Sequence, residues 1–103
     1  MSERIVTVFR SRLRPENEHQ YDVMGDRMDE LARSMPGFVE VKGFTADDGE
    51  RLTLVTFADA ESQRAWREHP EHRIAQRRGR EAFYSEYSIV VAQETYASQF
   101  SQG

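Results

Sequence analysis

The chain has 103 residues with a formal net charge of −4, 38% hydrophobic and 31% charged side chains, and no cysteine. That length holds one domain around one modest core. The acidic balance argues against nucleic acid or an anionic membrane as partner, because both select basic surfaces. The lack of cysteine excludes disulfides, thiolate nucleophiles, iron–sulfur clusters and cysteine-type zinc sites. Met1 is followed by Ser2-Glu3-Arg4 and a strand-like run rather than a leader, and no stretch nears the ~20 apolar residues of a membrane span. The expectation is a soluble, cytoplasmic protein with a single domain over 1–103, a core over about 4–96 and a polar tail over 97–103.

In chain order, residues 4–13 are rich in β-branched and aromatic types and read as a strand. Pro15 suits a first helical turn, with Glu16 and Glu18 complementing the helix dipole. Tyr21, Met24, Met28, Leu31 and Met35 follow at spacings of 3, 4, 3 and 4, which is one apolar seam on a helix. Pro36-Gly37 stops that helix, because a residue before proline is driven out of the helical region. Residues 38–46 and 51–58 read as strands joined by the turn Asp47-Asp48-Gly49-Glu50, so 38–58 is a hairpin.

Asp59 reads as the N-cap of a helix starting at Ala60. Pro70 and Gly79 break it into pieces near 60–68 and 70–78. A fourth strand runs from Tyr84 to about Tyr96, and Phe100 in the tail is apolar enough to dock elsewhere.

The order β-α-β-β-α-β defines an α+β, ferredoxin-like fold: a four-stranded antiparallel sheet with its helices on one face. The other face should then be polar, yet it is not. Val6 and Val8 oppose Ile5 and Phe9, Leu52 and Leu54 oppose Val55 and Phe57, and Val90 and Ala92 oppose Ile89 and Val91. With no spare segment to cover the helix-free face, the economical cover is a second copy, giving a homodimer through that face.

Between Phe57 and Phe83 the only large apolar side chains are Trp66 and Ile74, with His69, His72 and a run of arginines around them. A helix made to fill a core carries a wider apolar stripe. This composition fits the wall of a pocket.

This pattern resembles the antibiotic biosynthesis monooxygenase (ABM) superfamily of dimeric α+β barrels. The resemblance rests on the strand–helix opening, Met35-Pro36-Gly37-Phe38 before the second strand, Trp66-x-x-His69-Pro70-x-His72, and the closing strand from Phe83-Tyr84 to Ala92. It implies a pocket between helices and sheet. Some members oxidise electron-rich polyketides or quinols with O₂ and no cofactor, others bind and degrade haem, and many have no known substrate. For the oxidising branch the resemblance points to Ser62 and Trp66, where the family favours Asn before the Trp. For the haem-degrading branch the matching positions are Ser11, Trp66 and Gln76, where the family has Asn, Trp and His. Haem degradation is therefore disfavoured and no cofactor is implied.

Trp66 is either a stacking wall with an indole N–H donor or a core anchor. His69 and His72 lie at i, i+3 and would share a face of an unbroken helix. A metal site would need further ligands that the chain does not supply, so none is expected. Either histidine can act as general base on a phenol-like proton. Alternatively, His69 caps the segment starting at Pro70 and His72 packs on a neighbour. Arg73, with Arg77, Arg78 and Arg80, neutralises an anionic substrate, pairs with helix carboxylates across the dimer, or forms a solvated face. Tyr84 and Ser62 are candidate hydrogen-bonding orienters, and Met24 and Met28 adaptable apolar lining.

The sequence thus yields a leading expectation of a monooxygenase acting on a small electron-rich aromatic, with Trp66, His69 and His72 catalytic and Ser62, Tyr84, Met24, Met28 and Arg73 binding the substrate. A non-catalytic ligand-binding or stress-associated dimer is the alternative, and haem binding through His69 or His72 a third.

Overall fold

The structure, a computed structural model, describes residues 3–103. Strand β1 spans Ile5–Leu13, and a short 3₁₀ turn, Pro15–Asn17, leads into helix α1, Glu18–Ser34. Strands β2 (Phe38–Thr45) and β3 (Arg51–Phe57) form the hairpin. Helices α2 (Ala60–Arg67) and α3 (Pro70–Arg78) follow, and strand β4 (Tyr84–Gln93) closes the fold. The strands are ordered β2-β3-β1-β4, all pairs antiparallel.

The apolar seam of α1 explains its placement. Leu31 and Ala32 are buried, and Met28 and Met35 pack beside them on Val55, Phe57 and Trp66. Phe57 is fully buried, a burial that contributes roughly 1.5–3 kcal/mol for a side chain of this size. The helix ends as proline sterics require: Met35 is extended, with φ −80° and ψ 143°, and Gly37 takes φ 81°. A side chain at Gly37 would also overlap the Ser62 hydroxyl, so this glycine brings the start of β2 onto α2.

Register assigns the two sheet faces. Thr7 pairs with Val55 and Val91, and Phe9 with Thr53 and Ile89. Directly opposed residues share a face, so the odd-numbered residues of β1 and β3, and those of β4 from Tyr87 onward, look toward the helices; the bulge opposite Arg12 and Leu13 puts Tyr84 on the same side. Val6, Val8, Leu52, Leu54, Val90 and Ala92 occupy the helix-free face, where Val90 is 56% exposed.

The break at Gly79 falls where expected, with α3 ending at Arg78, although the φ of −57° at Gly79 is itself helical and the chain continues through a π-helical turn, Gly79–Phe83. Two expectations are corrected. β4 stops at Gln93 rather than near Tyr96 because β1, its only neighbour, begins at Ile5 opposite Gln93; one further bond, Glu94 N–H to the Arg4 carbonyl, closes the ladder. Phe100 is 91% exposed and docks on none of the described residues.

Candidate functional site

A cavity of about 320 Å³ lies between the helices and the sheet. Its floor is Thr7, Phe9, Val41, Thr53, Val55 and Ile89; α1 contributes Tyr21, Met24, Gly25 and Met28; α2 and α3 contribute Gln63, Trp66, Arg67, His72 and Gln76; and the π-turn delivers Arg80, Phe83 and Tyr84. The volume falls in the range of small-molecule sites. An apolar cavity of roughly 150 Å³ already accepts benzene, so this one has room for fused rings.

Trp66 anchors the wall. Its indole packs on Phe57 at 5.4 Å, and His72 stacks on it at 4.3 Å with the planes 28° apart. Trp66 Nε1 is buried and has no acceptor among the described residues. Leaving such a donor unpaired costs about 1–3 kcal/mol.

Helix α3 starts at Pro70 only after a break, and that break sets the roles of the two histidines. His69 has non-helical backbone angles, φ −58° and ψ 135°, and its Nδ1 accepts the Glu71 N–H at 3.1 Å. It is the N-cap of α3 and does not line the cavity. His72 does, and its Nδ1 lies 3.3 Å from the Arg67 carbonyl. A carbonyl only accepts, so Nδ1 carries the proton and Nε2 keeps the free lone pair. Burial pushes the His72 pKa below its usual value, partly opposed by that hydrogen bond and reinforced by His69. The imidazole is therefore neutral at neutral pH.

Tyr84 is placed by Gly79. A Cβ at position 79 would stand 2.6 Å from Tyr84 Cε2, so only glycine lets the π-turn pass behind that ring. Tyr84 then meets Tyr21 and Phe9 edge-on at 5.7 and 5.3 Å. Burial, with the neighbouring Tyr21 hydroxyl, raises its pKa far above the ordinary tyrosine value, so it stays a protonated donor.

Of the expected residues, the cavity brings together Trp66, His72, Met24, Met28 and Tyr84. It leaves out His69, Ser62 and Arg73. Ser62 sits under Gly37, its N–H bound by Asp59 at 2.8 Å. Arg73 lies in a polar concavity beside the cavity. The sequence reading missed Gln63, which is 3% exposed and donates to Thr7 Oγ1 at 3.2 Å. Its signal was positional: Gln63 and Trp66 are i, i+3 and share a face, and Thr7 lies between Ile5 and Phe9 on the buried face of β1. Among the described residues no group of three His, Asp or Glu side chains could hold a metal ion, and no helix is long and apolar enough to cross a membrane.

An antiparallel sheet covered on one side by helices, with an aromatic-lined cavity between the layers, defines a ferredoxin-like α+β protein. Residues 4–78 match the family model described as antibiotic biosynthesis monooxygenase, and the chain belongs to that family. It is 33% identical over 85 residues, 82% of this chain and 75% of the relative, to the uncharacterized protein YqjZ of Bacillus subtilis. Its fold is similar to SnoaB, a cofactor-independent oxygenase from Streptomyces nogalater (TM-score 0.79, 12% identity, 93% of this chain and 97% of that one). It is equally similar to Rv0793 from Mycobacterium tuberculosis (TM-score 0.81, 14% identity, 93% and 99% covered).

Proposed function

We propose that this protein is a monooxygenase that oxidises a small electron-rich aromatic, a quinol or anthrone-like molecule, with O₂ and without a bound redox cofactor. The observation that carries the reading is the neutral His72 stacked on Trp66, whose indole N–H is unpaired, in a cavity sized for fused rings. His72 Nε2 takes the substrate's phenolic or benzylic proton, and Trp66 Nε1–H holds the oxygen on which negative charge develops. The electron-rich anion then donates to O₂ directly. For an anthrone, one oxygen atom becomes the new carbonyl and the other leaves as water with the two hydrogens of the methylene carbon; for a quinol, one oxygen atom enters the ring as a hydroxyl and the other leaves as water, the quinol ending as a hydroxyquinone. Tyr84, held protonated, orients the substrate, and Met24 and Met28 shape the apolar space.

We propose further that two copies associate through the helix-free sheet face. Val6, Val8, Leu52, Leu54 and Val90 make that face apolar, and burying it against its own copy removes it from water.

The test is O₂ consumption by the purified protein with a panel of quinols and anthrones, without added cofactor. The expected result is uptake above buffer for at least one member. No enhancement across the panel overturns the reading, and tight binding without uptake assigns the cavity to sequestration instead.

A further inference from the structure

The cavity opens beside a strongly basic concavity. Arg67, Arg73, Arg77 and Arg80 line it together with Gln76, against the single carboxylate of Glu68. Arg67, Gln76 and Arg80 line both the concavity and the aromatic cavity, so the two spaces adjoin across these three side chains. This grouping stands out in a chain of net charge −4.

The fold builds it. Arg73, Arg77 and Arg80 recur at i, i+4 and i+7 along α3 and the π-turn, which carries the helical face past Gly79. Arg67 comes from the end of α2. Among the described residues no carboxylate lies within 4.0 Å of these four guanidiniums. The nearby acids are engaged elsewhere: Glu71 by Arg27 at 2.6 Å, and Asp29, which lines the cavity, by Arg33 at 2.8 Å. Arg80 makes only a long contact, 3.5 Å, with the Tyr87 hydroxyl. Four like charges gathered around the one carboxylate of Glu68 still repel, and an anion relieves that repulsion.

We infer that the ligand is an aromatic carboxylate, its rings in the cavity against Trp66 and its carboxylate at the mouth between Arg67 and Arg80. A planar two-oxygen anion matches the guanidinium fork. Arg73 and Arg77, farther out, draw the anion in from solution. This assignment rests on the cavity being the aromatic site proposed above, and it names the charge of the substrate that site takes.

Isothermal titration calorimetry on the full chain separates this from the oxidation chemistry. The probes are anthraquinone-2-carboxylate and its neutral carboxamide, both already oxidised. The carboxylate should bind at least tenfold more tightly, about 1.4 kcal/mol, and the margin should shrink as salt rises. In the Arg67→Gln, Arg80→Gln double variant the preference should fall below threefold while the carboxamide keeps its wild-type affinity, which shows the cavity intact. Equal affinities in the wild type, a preference that survives the double variant, or no binding of either probe overturns the inference. A protein that shows the preference yet consumes no O₂ keeps this inference and loses the monooxygenase reading.

Discussion

The rings of His72 and Trp66 stack at 4.3 Å, and each leaves one nitrogen without a hydrogen-bond partner among the described residues: the free Nε2 of a neutral imidazole and the buried Nε1–H of the indole. An acceptor of protons and a donor of hydrogen bonds thus belong to one rigid pair. Stacking fixes their relative geometry, which is the preorganisation that the proposed proton abstraction calls for.

The pH dependence follows from His72. Its folded pKa lies below 6.5 because burial disfavours the imidazolium. Above the unfolded value both states are neutral and the group's contribution to stability is fully present. As pH falls below about 6.5 the unfolded chain takes up the proton first, and stability declines until the folded pKa is passed. Urea titrations between pH 8 and 5 should show this loss in the wild type and a smaller one in His72→Phe, which keeps the stack. If base catalysis is right, O₂ uptake should fall 10²–10⁴-fold in that variant, with little change in affinity for an oxidised aromatic. An unchanged rate removes His72 from the chemistry.

Trp66→Phe separates the indole donor from the indole bulk. It deletes an unpaired buried N–H, so the expected loss of stability is small, below about 1.5 kcal/mol, coming from lost packing on Phe57 and His72. Affinity for an oxygen-bearing aromatic should fall by roughly tenfold, the worth of one hydrogen bond in a dry site, while a hydrocarbon analogue is less affected. Equal losses for both ligands would show that Nε1 does not contact the ligand.

The parts of the fold written in local pattern were readable from the sequence, and the site was readable where the helix phase holds. Tyr21 to Met35 declared α1 by spacing, and Pro36 declared its end. Trp66, Met24 and Met28 reached the cavity as that phase predicts. His69 did not, because the i, i+3 argument linking it to His72 assumes an unbroken helix, and the extended cap residue before Pro70 turns its ring back onto Glu71. Ser62 stays out of the cavity for a tertiary reason: Gly37 packs over its hydroxyl, which pairs with the Asp59 carboxylate, and Gln63 takes the cavity position beside Thr7. Gly79 marked the end of α3, as glycine signals in sequence. What stayed hidden is its second purpose, room for a ring five residues later in the chain, a contact that no local pattern encodes.

That contact is itself testable. In Gly79→Ala the new methyl would meet Tyr84 Cε2 at 2.6 Å and Cδ2 at 2.9 Å, so the ring must move. The backbone at position 79 is helical and tolerates alanine, and alanine's propensity alone would stabilise the turn by up to about 1 kcal/mol. The steric cost should outweigh this, giving a net loss of about 1–2 kcal/mol with weaker aromatic binding. Gly79→Ala combined with Tyr84→Ala should recover the stability lost through the clash, and a double-mutant cycle measures it. Additive losses would mean that Tyr84 does not set the need for glycine.

The helix-free face gives the last prediction. Leu54 is half-buried on the central strand β3, and Val90 is 56% exposed on β4, both on the side away from the helices. Neither lines the cavity, so charging them leaves the binding site's own residues intact. If two copies meet there, Leu54→Glu with Val90→Glu places like charges against each other across a two-fold axis and buries them without partners. Such a penalty exceeds what a moderate interface supplies. Sedimentation velocity should show a dimer for the wild type and a monomer for the variant at the same concentration. Exposing the sheet should also lower the thermal midpoint of the variant and make the wild-type midpoint rise with protein concentration. A wild type that sediments as a monomer up to high micromolar concentration would assign that apolar face to a different partner.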